Sequence, residues 1–232
     1  MIVKIMTQDE LFNHPGWLAS KRLGYIANMH HIFLQNYLIL KELLIKIYND
    51  EKFSAQTYQE FDQHMQQYLF NFLSASAALT DNCRKMMSFY KETGLFNEYK
   101  AKIDEIFKKN LLSAFIKDLR NYQAHNKIDI PTPVRSLKDY KSIDIIFISD
   151  ELLKENYQWT APSKKFMEKC GLEISILPII NEYNDMINLF YNWLYQRIKQ
   201  YHRADFIALK QVIREQGSDE FNLEAMIDRF LT

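Results

Sequence analysis

Between Trp17 and Tyr48 the chain carries no proline and a single glycine, and that absence of breakers limits the possible folds more than any other feature. Within the stretch, Ile26, Met29, Phe33, Tyr37, Leu40, Leu44 and Ile47 recur at steps of three and four. That spacing puts them on one face of a long helix. A second stripe follows from Phe61 through Met65, Tyr68, Phe72, Ala75, Leu79, Cys83 and Met86 to Tyr90. Thr57-Tyr58-Gln59-Glu60 has the spacing of a capping box that opens this helix, and Gly94 is placed to close it. In its middle, Ser74-Ala75-Ser76-Ala77-Ala78 is small enough to let another helix approach closely.

The remaining pattern is also helical, with one interruption. A short helix is expected to start at the capping box Thr7-Gln8-Asp9-Glu10 and to end at His14-Pro15-Gly16. Residues 97–110 predict a shorter charged helix. Residues 111–125 predict another, with Leu112, Phe115, Leu119 and Tyr122 facing inward and a stop enforced by Asn126-Lys127, Pro131 and Pro133. From Glu173 to about Gln216 a further stripe runs through Ile176, Ile180, Tyr183, Ile187, Phe190, Leu194, Ile198 and Tyr201, with Pro178 confined to the first turn. Residues 218–231 close the chain with a short helix. The interruption is residues 127–149, where Val134, Leu137, Ile143, Ile145 and Phe147 are β-prone around the polar Lys138-Asp139-Tyr140-Lys141. A small β-hairpin fits there. A short helix starts at Asp150, and another opens at Pro162 and ends at Gly171. The expected fold is all-α: an antiparallel helical bundle with a small β-hairpin insert. It reads as one domain in three parts, a helical core over 1–126, the insert over 127–172, and C-terminal helices over 173–232 that pack on the same bundle.

Composition excludes several functions. Lys plus Arg and Asp plus Glu both number 29, so the basic footprint of a dedicated duplex-DNA binder is missing at the level of the whole chain. A small RNA site needs no basic pI. Cys83 and Cys170 are far apart and form no C-x-x-C pair, which fits a reducing, cytoplasmic setting. The first residues turn acidic too early for a signal peptide, and no run reaches the roughly 20 apolar residues of a membrane span. No metal-ligand motif, phosphate-binding glycine loop or nucleophile elbow occurs. His30 and His31 are adjacent and point about 100° apart on a helix, so they are poorly placed to share a metal. No metal and no cofactor is expected, and no membrane partner.

One segment gathers chemistry: Asp118-Leu119-Arg120-Asn121-Tyr122-Gln123-Ala124-His125. Helical steps of 100° bring Asp118, Asn121 and His125 onto one stripe, with Arg120 at its edge. Leu119 and Tyr122 turn toward the apolar face. An Arg, an amide and an imidazole thus meet near a helix C-terminus. Arg197 and His202 repeat the same spacing, but Ile198 follows the Arg there and no short polar stripe accompanies the His. Asp81 and Arg84, on the helix with the small-residue run, can support the first cluster or simply pair with each other.

The run Arg120-Asn121-Tyr122-Gln123-Ala124-His125 resembles the signature of the HEPN superfamily, an Arg followed after four to six residues by His, with a polar residue directly after the Arg. Leu119-Arg120-Asn121-Tyr122 is especially similar to bacterial members linked to defence. The resemblance covers roughly residues 17–126. It implies a metal-independent endoribonuclease in which His125 removes the proton of the RNA 2′-OH and Arg120 stabilises the phosphate. Asn121 orients the His or hydrogen-bonds the phosphate, with Asp118 and Tyr122 in support. It further implies a homodimer, RNA as substrate, and a toxin–antitoxin or phage-defence setting with an antitoxin or sensor protein as partner. The competing reading is a catalytically inactive helical module that binds protein or nucleotide, in which Arg120 pairs with an acid such as Asp118, and Asn121 and His125 cap the helix end.

Overall fold

The structure, a computed structural model, describes residues 7–50, 55–125, 131–135, 142–154, 157–216 and 223–231. Its helices are α1 (Gln8–Phe12), α2 (Pro15–Tyr48), α3 (Ala55–Met87), α4 (Gly94–Ile103), α5 (Leu111–His125), α6 (Ser149–Lys154), α7 (Ala161–Cys170), α8 (Ile176–Tyr201), α9 (Arg203–Gln216) and α10 (Leu223–Leu231). Three short strands, β1 (Thr132–Arg135), β2 (Ile143–Ile148) and β3 (Glu173–Ser175), form one antiparallel sheet in that order. The fold is therefore all-α with a small antiparallel insert. No helix among the described residues is long and apolar enough to cross a membrane.

Helices α2, α3 and α8 enclose the core because each presents a stripe of apolar residues to the other two. On α2 the buried positions include Ile26, Phe33, Tyr37, Leu40, Leu44 and Ile47, as the periodicity requires. Met29 lies only partly covered, and its neighbour His30 takes the buried place. The His30 ring stacks on Tyr191 at 5.0 Å and meets the Asn188 side chain at 3.0 Å. Its polar atom is thereby satisfied inside an aromatic environment. On α3, Leu69 is buried where Tyr68 was expected.

Several boundaries differ from the sequence reading. Residues 14–16 do not end a helix. His14 caps α2, its Nδ1 accepting from the Gly16 amide, and Pro15 occupies the first turn. Helix α3 already runs at residue 55, so Thr57 is not its cap; the side chains of 57–60 are outside the described residues. Gly94 opens α4 and does not close α3, which gives way at Met87 to a 3-10 turn over Ser88–Tyr90. Thr93 then turns the chain, its backbone amide and hydroxyl both donating to the Tyr90 carbonyl at 2.9 and 2.7 Å. That turn lets Leu95 and Tyr99 reach the core. The charged helix of 97–110 is α4 followed by a π-helical turn over Asp104–Lys108.

The hairpin pairs β1 with β2, Thr132 opposite Ile146; its turn, at 136–141, is outside the described residues. Residues 173–175, read as helix, instead add a third strand, with Ile174 opposite Phe147. Gly171, at φ +81°, reverses the chain after α7, a backbone conformation that favours glycine. Ile174 then joins Ile143, Ile145 and Phe147 in the core. The C-terminal stripe also breaks once, at His202, between α8 and α9. The break redirects the chain so that Phe206, Leu209 and Ile213 can be buried, and α9 lies across α2.

Candidate functional site

Helix α5 is held on one side by aromatic packing. Phe115 stacks on Trp159 at 5.9 Å and on Phe166 at 4.8 Å, and Tyr122 packs against Tyr157 and Trp159 at 5.4 and 5.3 Å. Tyr122 is fully buried in this aromatic layer. This packing fixes which residues of α5 face outward: Lys117, Ala124 and His125 are exposed, and Arg120 and Asn121 are half-buried.

Asp118 does not share that outward face. It is buried, and its Oδ2 accepts from the Thr160 amide at 2.9 Å, the Thr160 hydroxyl at 2.6 Å and the Ser163 hydroxyl at 2.7 Å. Thr160 is the N-cap of α7. The carboxylate thus serves the positive end of that helix, where backbone amides lack intrahelical partners. The proposed stripe loses its acid as a consequence, and Arg120 has no ion pair with it. Instead the Arg120 Nη1 donates to the Asn121 Oδ1 at 3.2 Å. Burial and the Asp118 charge push the Tyr157 phenol upward, with the Asn121 amide acting in the opposite direction.

Arg120 and Asn121 also form part of the wall of a cavity of about 600 Å³. Helix α5 contributes Ser113, Ala114 and Lys117 in the preceding turns; α3 contributes Ser76, Ala77, Thr80 and the Asp81–Arg84 pair. The π turn brings Asp104, Phe107 and Lys108, and α8 supplies Tyr183, Ile187, Phe190 and Tyr191. The run of small residues on α3 was expected to admit a close helix; Ser76 meets Tyr183 of α8 at 2.7 Å, and Ser76 and Ala77 also border the cavity. The cavity itself was not anticipated, because it forms from elements distant in sequence. The π turn beside it gives no sequence signal, although such turns often occur at functional sites.

The charges of the wall are unequal. Arg84 pairs with Asp81 at 3.1 Å and Lys108 with Asp104 at 2.6 Å, both on their own helical turns. The wall then has Lys117 and Arg120 as cations with no carboxylate partner among the described residues. Deeper in, burial pushes the Cys83 thiol up to about 11. It is protonated at neutral pH and offers no thiolate nucleophile. His125 lies beyond the cavity, exposed at the last residue of α5.

The second Arg–His match is differently placed. Arg197 makes a two-pronged contact with Glu98 at 2.6 and 2.8 Å, which holds the Glu98 carboxyl below the ordinary range. His202 is buried, with Nδ1 on Asp205 at 2.7 Å and Nε2 on the Tyr90 hydroxyl at 3.0 Å. Both side chains are occupied, Arg197 in joining α4 to α8 and His202 in joining the 3-10 turn after α3 to α9.

Among the described residues no three His, Cys, Asp or Glu side chains gather as metal ligands would. The chain matches no protein-family model, no curated protein and no solved structure.

Proposed function

We propose that the protein is an endoribonuclease of HEPN type, with Arg120, Asn121 and His125 as its working residues. The observation that carries this reading is the contrast between its two Arg–His matches. Arg197 is held two-pronged by Glu98 at the surface and His202 is buried between Asp205 and Tyr90, whereas His125 is exposed and Arg120 has no carboxylate partner among the described residues. A stability role would be better served by the reverse arrangement.

The chemistry fits these groups. RNA carries its own nucleophile in the 2′-OH. His125 takes that proton, the oxygen attacks the adjoining phosphorus, and the 5′-oxygen leaves, which gives a 2′,3′-cyclic phosphate and a 5′-hydroxyl. Imidazole suits proton transfer near neutral pH. The guanidinium of Arg120 stabilises the charge gathering on the phosphate oxygens. Asn121 accepts a hydrogen bond from Arg120 and so helps to hold the guanidinium. Asp118 acts at a distance, by fixing α5 on α7. Each copy supplies one Arg and one His, so a homodimer with two such helix ends adjacent gives the phosphate a second cation; an interface of this kind is isologous. A toxin–antitoxin or phage-defence role follows from the family resemblance, and cytoplasmic location from the lone thiols.

The test is cleavage of single-stranded RNA in EDTA, with product ends identified by mass spectrometry. The expected products are cyclic phosphates, and DNA of the same sequence survives because it lacks the 2′-OH. His125→Ala should lose about a hundredfold or more, the usual range for a general acid–base group. Cleavage that persists undiminished in both His125→Ala and Arg120→Ala would remove the assignment. A folded wild-type dimer that binds RNA and leaves it intact would favour the inactive binding module.

A further inference from the structure

The cavity beside Arg120 is shaped and charged for one particular kind of guest. At about 600 Å³ it falls in the range of small-molecule sites. Its floor is aromatic: Phe107 meets Phe190 edge-on at 5.4 Å, and Tyr99 lies 6.0 Å from Phe190. Tyr99, Phe190 and Tyr191 are each no more than 5% exposed and back the cavity, and Phe107, half-buried, is the ring left accessible for a flat guest. Hydroxyl groups break up the apolar wall. Ser76 and Tyr183 bond to one another at 2.7 Å, and the Ser113 hydroxyl has no partner. The cations Lys117 and Arg120 stand on successive turns of α5 along one side. A guest that satisfies all of this has a flat body with polar edges and an attached anion.

We infer that the cavity receives a single unstacked nucleobase of the RNA strand, next to the phosphate held by Arg120. The inference rests on the cleavage reading and adds a determinant of substrate choice to it. Bases stack on aromatic side chains whatever their identity, and the wall hydroxyls supply the polar contacts that an aliphatic chain would leave unmet. The nucleotide must leave its helix to enter. Cleavage is therefore directed to loops and single strands, and paired RNA is spared.

The experiment is calorimetric titration of the full chain with adenosine 3′-monophosphate, uridine 3′-monophosphate, dodecyl phosphate and inorganic phosphate. It is repeated on Ala114→Phe and Ala77→Leu, two independent ways of filling the cavity, each checked for wild-type helicity and thermal unfolding. At least one nucleotide should bind about tenfold more tightly than either phosphate control. Both filling variants should weaken it about tenfold or more, the loss expected from one base–aromatic contact. Lys117→Ala should weaken it too. Nucleotides that bind no better than inorganic phosphate, a preference for dodecyl phosphate, or undiminished nucleotide binding in a folded filling variant would each overturn the inference. The two readings separate cleanly. RNA cleavage that depends on His125 but is indifferent to Ala114→Phe leaves the cleavage reading standing and removes the base site. Nucleotide binding sensitive to Ala114→Phe, in a chain that cleaves no RNA, supports the base site and removes the cleavage reading.

Discussion

The Asp118 carboxylate, on α5, reaches the backbone amide of Thr160 at 2.9 Å and so caps a helix 42 residues further along the chain. The same oxygen accepts from two hydroxyls. Loss of an N-cap costs about 0.5–2 kcal/mol, and a buried donor left without a partner adds about 1–3 kcal/mol. Asp118→Ala should accordingly destabilise the protein by about 2–4 kcal/mol in urea unfolding. Thr160→Ala should cost less, since the amide contact survives. An Asp118→Ala protein of wild-type stability that had lost its RNA cleavage would mean that the carboxylate acts in the site and not through the fold.

Two glycines of α2 should respond to alanine with opposite signs. A Cβ on Gly16 would lie 2.6 Å from the Asp205 carbonyl oxygen and 3.1 Å from Leu209. Both neighbours belong to α9, so α2 and α9 must separate. The steric cost, about 1–3 kcal/mol for overpacking, exceeds the roughly 1 kcal/mol that alanine gains in helix propensity. A Cβ on Gly24 meets nothing within 4 Å. There the propensity term acts alone, and Gly24→Ala should raise stability by about 0.5–1 kcal/mol. Chemical denaturation midpoints of the two variants check this directly.

His30 makes stability depend on pH in a predictable direction. Its burial against Tyr191 lowers its pKa, and the bond to Asn188 only partly opposes this. The unfolded chain then binds the proton more readily than the folded one. The stabilisation is fully present above the unfolded value near 6.5 and is lost as pH falls toward the lower folded value. Between pH 7.5 and 5.5 the urea midpoint of the wild type should fall more than that of His30→Gln, which retains a hydrogen-bonding group and has nothing to titrate there. Equal slopes would show that His30 does not drive the decline.

The long stripes of α2, α3 and α8 were legible because burial on one face leaves a period in the sequence, and so was the apolar side of α5. Short connecting structure was not. Glu173–Ser175 looked like the start of a helix because its strand partner, Phe147, is remote in the chain. Gly94 looked like a stop because a glycine at the border of two helices reads the same from either side. The site was legible in part. Tyr122 was placed on the apolar side of α5, where it is buried, but Asp118 shares a helical stripe with Asn121 and His125 and still faces inward. Angular position around a helix says which residues lie together, and only the arrival of α7 decides that Asp118 is covered. Lys117 and the aromatic floor escaped notice for the same reason, since a cavity belongs to no single stretch of sequence.

The pair of Arg–His matches supplies the last prediction, because substitution at the two should produce opposite signatures. His202 bridges Asp205 and the Tyr90 hydroxyl within the core. Removing it strands both partners, so His202→Ala should lower stability by about 1–3 kcal/mol. Arg197→Ala leaves Glu98 unpaired at the surface, where solvent screens the charge, and should have a small effect on stability. Neither change touches Arg120 or His125, so cleavage per folded molecule should stay within about twofold of wild type, well inside the hundredfold scale of an acid–base group. Arg120→Ala and His125→Ala should show the inverse: exposed or half-buried side chains with little stability to lose, and a large loss of cleavage. Measuring unfolding midpoints and RNA cleavage on all four variants places each residue on two axes. If His202→Ala abolished cleavage at full stability while His125→Ala left it intact, the active pair would be Arg197 and His202, and the end of α5 would be an ordinary helix terminus.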